Sequence, residues 1–218
     1  MVEKLKRPDT LKFQAVEWIM ELMATGQLKA DEVYSANHFA KVMGISRTPA
    51  REALLQLTSE GYFISLLGRG FKIRQFTEKE IIDFFETRKL IETYIIEHLG
   101  NLLTEDFSQI LEDNLKRMID YAAKEDIFRF LDADKTFHMS LVNLYNNTQF
   151  AAIMDNIRNL MTIMGERALS KSERFTEVIS EHRLIIDALN TKNLQSAVRA
   201  MFNHIEVTEK SVLNNKLS

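Results

Sequence analysis

Four polar side chains in the second half of the chain sit where apolar ones belong. In "LDADKTFHMSL", Asp134 and His138 stand i, i+4, so on a helix they stack on one face, which Phe130, Leu131, Phe137 and Leu141 share. His182 falls in "VISEHRLIIDAL" among Ile179, Ile185 and Leu189, and His204 falls in "AVRAMFNHIEVT" beside Met201 and Ile205. An ionisable group inside an apolar stripe needs a partner, because an unpaired buried charge is costly. One carboxylate and three imidazoles suit a borderline divalent metal such as Zn²⁺, Ni²⁺ or Mn²⁺, with positions left open for water or a ligand. A histidine on such a stripe is more often a hydrogen-bonded core residue. His98, in "LIETYIIEHLG", also falls on its stripe and is not counted as a ligand. Spacing alone leaves both readings open.

Arg88 is the fifth such residue. In "IIDFFETRKLIE" it shares a face with Phe84, Phe85, Ile91 and Ile95. A buried guanidinium can take a carboxylate ligand through two parallel hydrogen bonds. It can equally pair with Glu92 one turn along its own helix.

A second set of reactive residues lies in "GISRTPAREALLQLTSEGYF", residues 44–63. Ser46 is placed as an N-cap, and Pro49 is tolerated in a first turn, where no intrahelical N–H is lost. Arg47 and Arg51 are i, i+4 and face away from Ala53, Leu54 and Leu57; Thr48 beside them is a short donor. A helix fits the major groove of B-DNA with its N-terminal residues at the base edges, and its N-terminus favours a phosphate. Arg69 lies between Gly68 and Gly70, where "YFISLLGRGFKIRQF" reads as two strands joined by a tight turn, so it can reach the minor groove or the backbone. The competing reading pairs Arg47 with Glu52, or leaves it to solvate the helix.

Glycine marks the elements that hold these residues. Four of the seven glycines fall at positions 44, 61, 68 and 70, and no proline follows Pro49. The first third is therefore short elements with tight turns, and the remainder is nearly continuous helix. A helix is expected over 10–25 with Phe13, Val16, Ile19, Met20 and Met23 on one face, ended by Gly26. A second is expected from Ser35 to Gly44 with Phe39, Ala40, Val42 and Met43 apolar, and the third from Ser46 to Gly61. The order helix, helix, turn, helix, hairpin is that of a winged helix-turn-helix. Beyond it, helices are expected over 77–100, 104–124, 126–145, 148–170, 175–190 and 193–213. The domains are then 1–76 and 77–218, mainly α overall.

Composition agrees. Residues 1–76 carry 11 Lys and Arg against 8 Asp and Glu, and the rest 17 against 23. A basic head on an acidic trunk fits a polyanion-binding module. The 218 residues contain no cysteine, which excludes disulfides and thiolate zinc sites and fits a reducing compartment. The start "MVEKLKRPDTLKFQ" has no apolar run of signal-peptide length, and no stretch approaches the roughly 18 apolar residues of a membrane span. A soluble, cytoplasmic protein is expected, with no membrane partner.

"GISRTPAREALLQLTSEGYF" followed by "GRGFKI" resembles the signature of GntR-type bacterial transcription regulators over residues 10–75. The resemblance implies that Arg47, Thr48 and Arg51, at the helix that Ser46 caps, read or clamp an operator, and that the Gly68–Arg69–Gly70 tip enters the minor groove. Family members often carry an acid and an arginine after the serine opening the second helix. Here Ala36 and Asn37 stand there, so Asn37 can hydrogen-bond DNA but brings no charge. The trunk, with D-x3-H and then His182 and His204 on successive helices, looks like the FCD domain of the FadR subfamily. That likeness implies six or seven helices around a small-molecule cavity, a homodimer, and Asp134, His138, His182 and His204 as metal ligands. The family's R-x2-L/I-E pattern is partly met by Arg88, Ile91 and Glu92. The expected function is a repressor on an inverted-repeat operator, controlled by a small organic-acid effector at the metal. Two other readings are a ligand-blind DNA-binding dimer with a structural metal, and a metal-dependent hydrolase or isomerase. Against the enzyme, no H-E-x-x-H helix or clear general base is present.

Overall fold

The computed structural model describes residues 10–169 and 172–215. Expectations for 1–9, for 170 at the end of the fourth trunk helix, and for the outer limits of both domains lie outside them. The chain divides into two compact units, Met1–Gln75 and Phe76–Ser218.

In the first unit, α1 (Leu11–Ala24) starts where the Thr10 hydroxyl accepts from the Phe13 N–H, and α2 (Ala36–Met43) where Ser35 accepts from His38. Gly44, in the left-handed region, ends α2, and α3 (Arg47–Ser59) follows at once. Both α1 and α2 pack on α3. The α3 core face is Ala50, Ala53, Leu54 and Leu57. Four residues expected on the core faces of α1 and α2 are not buried, and of these Met20 and Met43 are half-buried. Phe13, in the first turn of α1, and Val42 are exposed. Leu11, Trp18, Val42 and Ile45 line an open groove that keeps Val42 out of the core. The α1 stripe is instead Ala15, Val16, Ile19 and Met23.

Strands β1 (Phe63–Leu66) and β2 (Gly70–Ile73) pair antiparallel, with Phe63 opposite Ile73 and Leu66 opposite Gly70. The Arg69 N–H closes the turn on the Leu66 carbonyl at 2.9 Å. Tyr34 adds a bridge to Phe71 through a pair of backbone bonds of 2.7 and 2.8 Å, anchoring the hairpin to the segment before α2. This is a winged helix-turn-helix.

In the second unit, α4 (Glu78–Leu99) opens with a reciprocal capping box between Thr77 and Glu80. A 3-10 turn at Gly100–Leu102 leads to α5 (Glu105–Ala122), capped by Thr104. Then come α6 (Ile127–Tyr145), α7 (Thr148–Met161), a 3-10 turn at Thr162–Met164, the short α8 (Gly165–Ala168), α9 (Ser172–Asn190) and α10 (Leu194–Asn214). The single helix expected over 148–170 is therefore broken after Met161. Gly165 explains part of the break: a Cβ there would meet Leu131 Cδ1 at 2.1 Å, so the chain turns tightly against α6. Helix α10 packs on α4 and α9, α5 on α6 and α9, α4 on α6, and α6 on α7. One apolar core, from Ile81 to Val212, runs through this bundle. Among the described residues no helix is long and apolar enough to cross a membrane.

Candidate functional site

Three helices of the bundle aim four polar side chains at one point. Helix α6 brings Asp134 and His138, α9 brings His182 and α10 brings His204. One ligating atom from each lies within 4.8 Å of all the others, and the three histidines are buried. The rings form a tight triangle, with centroids 5.2, 5.1 and 4.6 Å apart.

Hydrogen bonds on the outer side of each ring fix its tautomer. His182 Nδ1 lies 2.8 Å from the Val178 carbonyl, which can only accept, so Nδ1 carries the proton. His204 Nδ1 donates to Glu181 Oε2 at 2.7 Å, and His138 Nδ1 donates to Glu92 Oε2. Burial works to raise Glu92, but the attraction of His138 and Arg88 outweighs it and keeps this carboxylate ionised, well below its usual range. Each Nε2 is thereby left with its lone pair pointing inward. Those of His138 and His182 are buried without a hydrogen-bond partner.

Asp134 Oδ1 lies 3.2 Å from His182 Nε2 and 3.7 Å from His138 Nε2. Burial works to raise Asp134, yet Arg158 and His138 hold it well below the usual carboxylate range. Burial, and then Arg158, lower His138; burial, and then His182, lower His204 well below an ordinary imidazole. The centre thus sets a carboxylate held in its ionised form against ring nitrogens, of which His138 Nε2 and His182 Nε2 are buried without a hydrogen-bond partner. Such a set calls for a cation. Metal–ligand bonds of about 2.0–2.2 Å put neighbouring donors roughly 3–4 Å apart, so the residues present fit a divalent ion with slight contraction. The carboxylate–imidazole pairs Glu92–His138, which is buried, and Glu181–His204, which is partly so, are the outer-shell partners that metal-binding histidines usually have.

A cavity of about 30 Å³ adjoins this centre, reached by Asp134 and His204 and walled by Phe130, Leu131 and Met161. Arg88 lines it too, fully buried. Its Nε donates to Glu92 Oε1 at 2.8 Å, while Nη1 and Nη2 have no partner. Both sequence readings of Arg88 are therefore compatible: one edge pairs with Glu92, and the other is free. Two further arginines at the cavity went unnoticed in the sequence. Arg158 holds Asp134 Oδ2, and Arg174 reaches Glu181 Oε2 at 3.0 Å and Thr208 Oγ1 at 3.1 Å. The signal for Arg158 was present, because it lies i+4 from Met154 on the buried face of α7, as Arg88 does on α4. His98, expected on an apolar stripe, is exposed, donates from Nδ1 to the Tyr94 carbonyl at 2.7 Å, and stacks on Tyr94.

In the first unit, Asn37, Ser46, Arg47, Thr48, Arg51, Gly68 and Arg69 are all exposed. Among the described residues Arg47, Arg51 and Arg69 have no ion-pair partner, so the pairing of Arg47 with Glu52 does not form. Ser46 occupies the N-cap with extended backbone, but its hydroxyl makes no capping bond. Gly68 faces open space. Gly70 does not: its φ is +132°, and a Cβ would meet the Tyr34 carbonyl oxygen at 2.4 Å. Glycine there lets the hairpin close on the backbone of Tyr34.

Comparison with known proteins agrees with both units. The family described as "Bacterial regulatory proteins, gntR family" matches residues 11–73, and the FCD domain matches residues 83–207. The chain belongs to the gntR family of bacterial regulators. The gluconate operon transcriptional repressor of Bacillus licheniformis is 30% identical over 217 residues, covering 95% of this chain and 87% of that protein. Its counterpart in Bacillus subtilis (strain 168) is 29% identical over 199 residues, with coverage of 87% and 80%. Among solved structures, a GntR regulator from Rhodococcus sp. RHA1 superposes with a TM-score of 0.77 at 20% identity, over 94% of this chain and 99% of that one. E. coli McbR/YncC gives 0.73 at 18%, over 90% and 94%, and both likenesses establish the fold alone. This gntR protein is a DNA-binding transcription regulator and not an enzyme, which removes the hydrolase or isomerase reading.

Proposed function

We propose that this gntR regulator is a homodimeric, cytoplasmic repressor. Its grip on an inverted-repeat operator is set by a small carboxylate bound at a divalent metal in the second unit. Arg47, Thr48 and Arg51 on α3 meet base edges and phosphates in the major groove, with Asn37 and the α3 N-terminus beside them. Arg69, carried on Gly68 and Gly70, enters the minor groove. Two such heads related by a two-fold axis read two half-sites.

Asp134, His138, His182 and His204 hold the metal, of which Zn²⁺, Ni²⁺ and Mn²⁺ are the candidates. A bound divalent ion supplies open positions for carboxylate oxygens. Glu92 and Glu181 orient the imidazoles, and Arg88 presents its free edge to the acid. The observation that carries this reading is the buried set of inward lone pairs opening on a cavity where a guanidinium edge has no partner. The ligand alters DNA affinity only so far as it binds the DNA-competent and DNA-incompetent shapes unequally.

Fluorescence anisotropy of the zinc-loaded protein on its own upstream DNA tests the reading. Organic acids should shift the midpoint, and a chelator should abolish the shift. Specific binding that ignores every acid would favour the ligand-blind dimer with a structural metal. Protein purified without chelators that holds no metal by elemental analysis would remove the ligand assignment.

A further inference from the structure

Three arginines line one small cavity, and each keeps nitrogen atoms with no partner. Arg88 is 0% exposed, Arg158 4% and Arg174 5%. Arg88 Nη1 and Nη2, Arg158 Nε and Arg174 Nε are buried and unpaired. A terminal guanidinium nitrogen carries two N–H groups and Nε one, so six donors wait there. One carboxylate offers about four lone-pair sites, and coordination to a metal would use at least one of them.

Charge leads the same way. Arg88, Arg158 and Arg174 are matched by Glu92, Asp134 and Glu181. Lys135, at the cavity edge, is matched by Asp155 at 2.8 Å. Glu177 also meets Arg174, but it is more than half exposed and screened by water. Imidazoles that hold a metal do so as neutral ligands, so a divalent ion in the four-residue centre adds two positive charges to three guanidinium–carboxylate pairs that are already matched. Uncompensated buried charge of that size is costly.

Resting on the proposed carboxylate effector, we infer that the ligand is a short dianion with two carboxylate groups. One meets the metal and Arg88; the other is held by Arg158 and Arg174. A polyhydroxylated monoanion fits less well. Apart from the imidazole nitrogens, every buried unpaired polar atom at the cavity is a donor, which suits acceptor-only carboxylates better than hydroxyls that must also donate. The apolar walls Phe130, Leu131 and Met161 suit a short aliphatic spacer.

Isothermal titration of the zinc-loaded full chain tests this with matched pairs. Malonate, succinate and malate are each set against propionate, butyrate and 2-hydroxybutyrate, in which a methyl replaces one carboxylate. D-gluconate is a further arm. At least one dianion is expected to bind tenfold or more tighter than its partner and tighter than gluconate. It should also raise zinc affinity by the factor by which zinc raises its own. Arg174→Gln should erase the preference while the monocarboxylate affinity stays within about twofold; the wild-type comparison stands even if that variant fails to fold. Equal affinities within every pair, or gluconate as the tightest ligand, would overturn the dianion. If none of the seven acids binds, the dianion falls together with the short-acid effector itself.

Discussion

Glu92 is the hinge of the metal centre's outer shell, and replacing it with glutamine tests that role. Its two oxygens each accept one bond, Oε1 from Arg88 Nε at 2.8 Å and Oε2 from His138 Nδ1. An amide has one oxygen, so Glu92→Gln turns an NH₂ toward either Arg88 or His138, donor against donor. Loss of an outer-shell partner of a metal-bound histidine lowers metal affinity about 10–100-fold, or roughly 1.4–2.7 kcal/mol. Breaking a buried ion pair costs about 3–5 kcal/mol. Because the amide oxygen keeps one of the two bonds, the lower end, about 3 kcal/mol, applies to the chelated protein. For a chain of this size that lowers Tm by roughly 6–12 °C. Zinc affinity is measured by competition with a chromophoric chelator, and Tm by circular dichroism. Arg88→Met is the companion variant: it removes the guanidinium and spares the Glu92–His138 bond, so zinc affinity should hold while acid binding falls. Glu92→Gln protein that keeps zinc affinity within twofold would refute the orienting role and reduce Glu92 to a counterion for Arg88.

Other outcomes follow from the same structure. Arg51→Ala should weaken specific DNA binding at least tenfold at fixed salt, measured by anisotropy; unchanged affinity would mean that α3 does not enter the groove. Chelation should lower the Tm of the wild-type chain, since a ligand at about 1,000 times its Kd stabilises by about 4 kcal/mol; His182→Ala should show little of this effect and should bind metal substoichiometrically. Gly70→Ala should destabilise the first unit by about 1–3 kcal/mol, because its φ of +132° and the Tyr34 carbonyl both oppose a Cβ. Urea titration followed by Trp18 fluorescence measures it.

The head was legible because its limits are chemical. Gly44 and Ser46 delimit α3, and the turn Leu67-Gly68-Arg69 sets the register that pairs Leu66 with Gly70. Phe13 and Val42 misled because periodicity marks the face a residue occupies, not whether a neighbour reaches it; both stay exposed. In the trunk, Asp134, His138, His182 and His204 stood out as polar residues on apolar stripes, and the fold brings them to one point. Arg158 shows the same anomaly but lay within a helix read as running straight to 170. Only the break after Met161 brings α8 and Arg158 to the walls of one cavity. Arg174 has no stripe to betray it. It is buried because Glu181, two turns along, and Thr208 on α10 take its guanidinium, and a contact between helices is invisible to periodicity.

The hairpin joins a frozen root to a permissive tip. Gly70 is locked beneath the Tyr34 carbonyl, so almost any other residue there disrupts the strand bridge before DNA is met. Leu67 and Arg69 project freely into solvent, and Gly68, at φ +70°, has open space around it and admits asparagine or aspartate. A selection for altered operator preference can therefore randomise 67 and 69 freely and hold 68 to glycine, asparagine or aspartate, whereas a library that includes position 70 would fill mostly with destabilised heads.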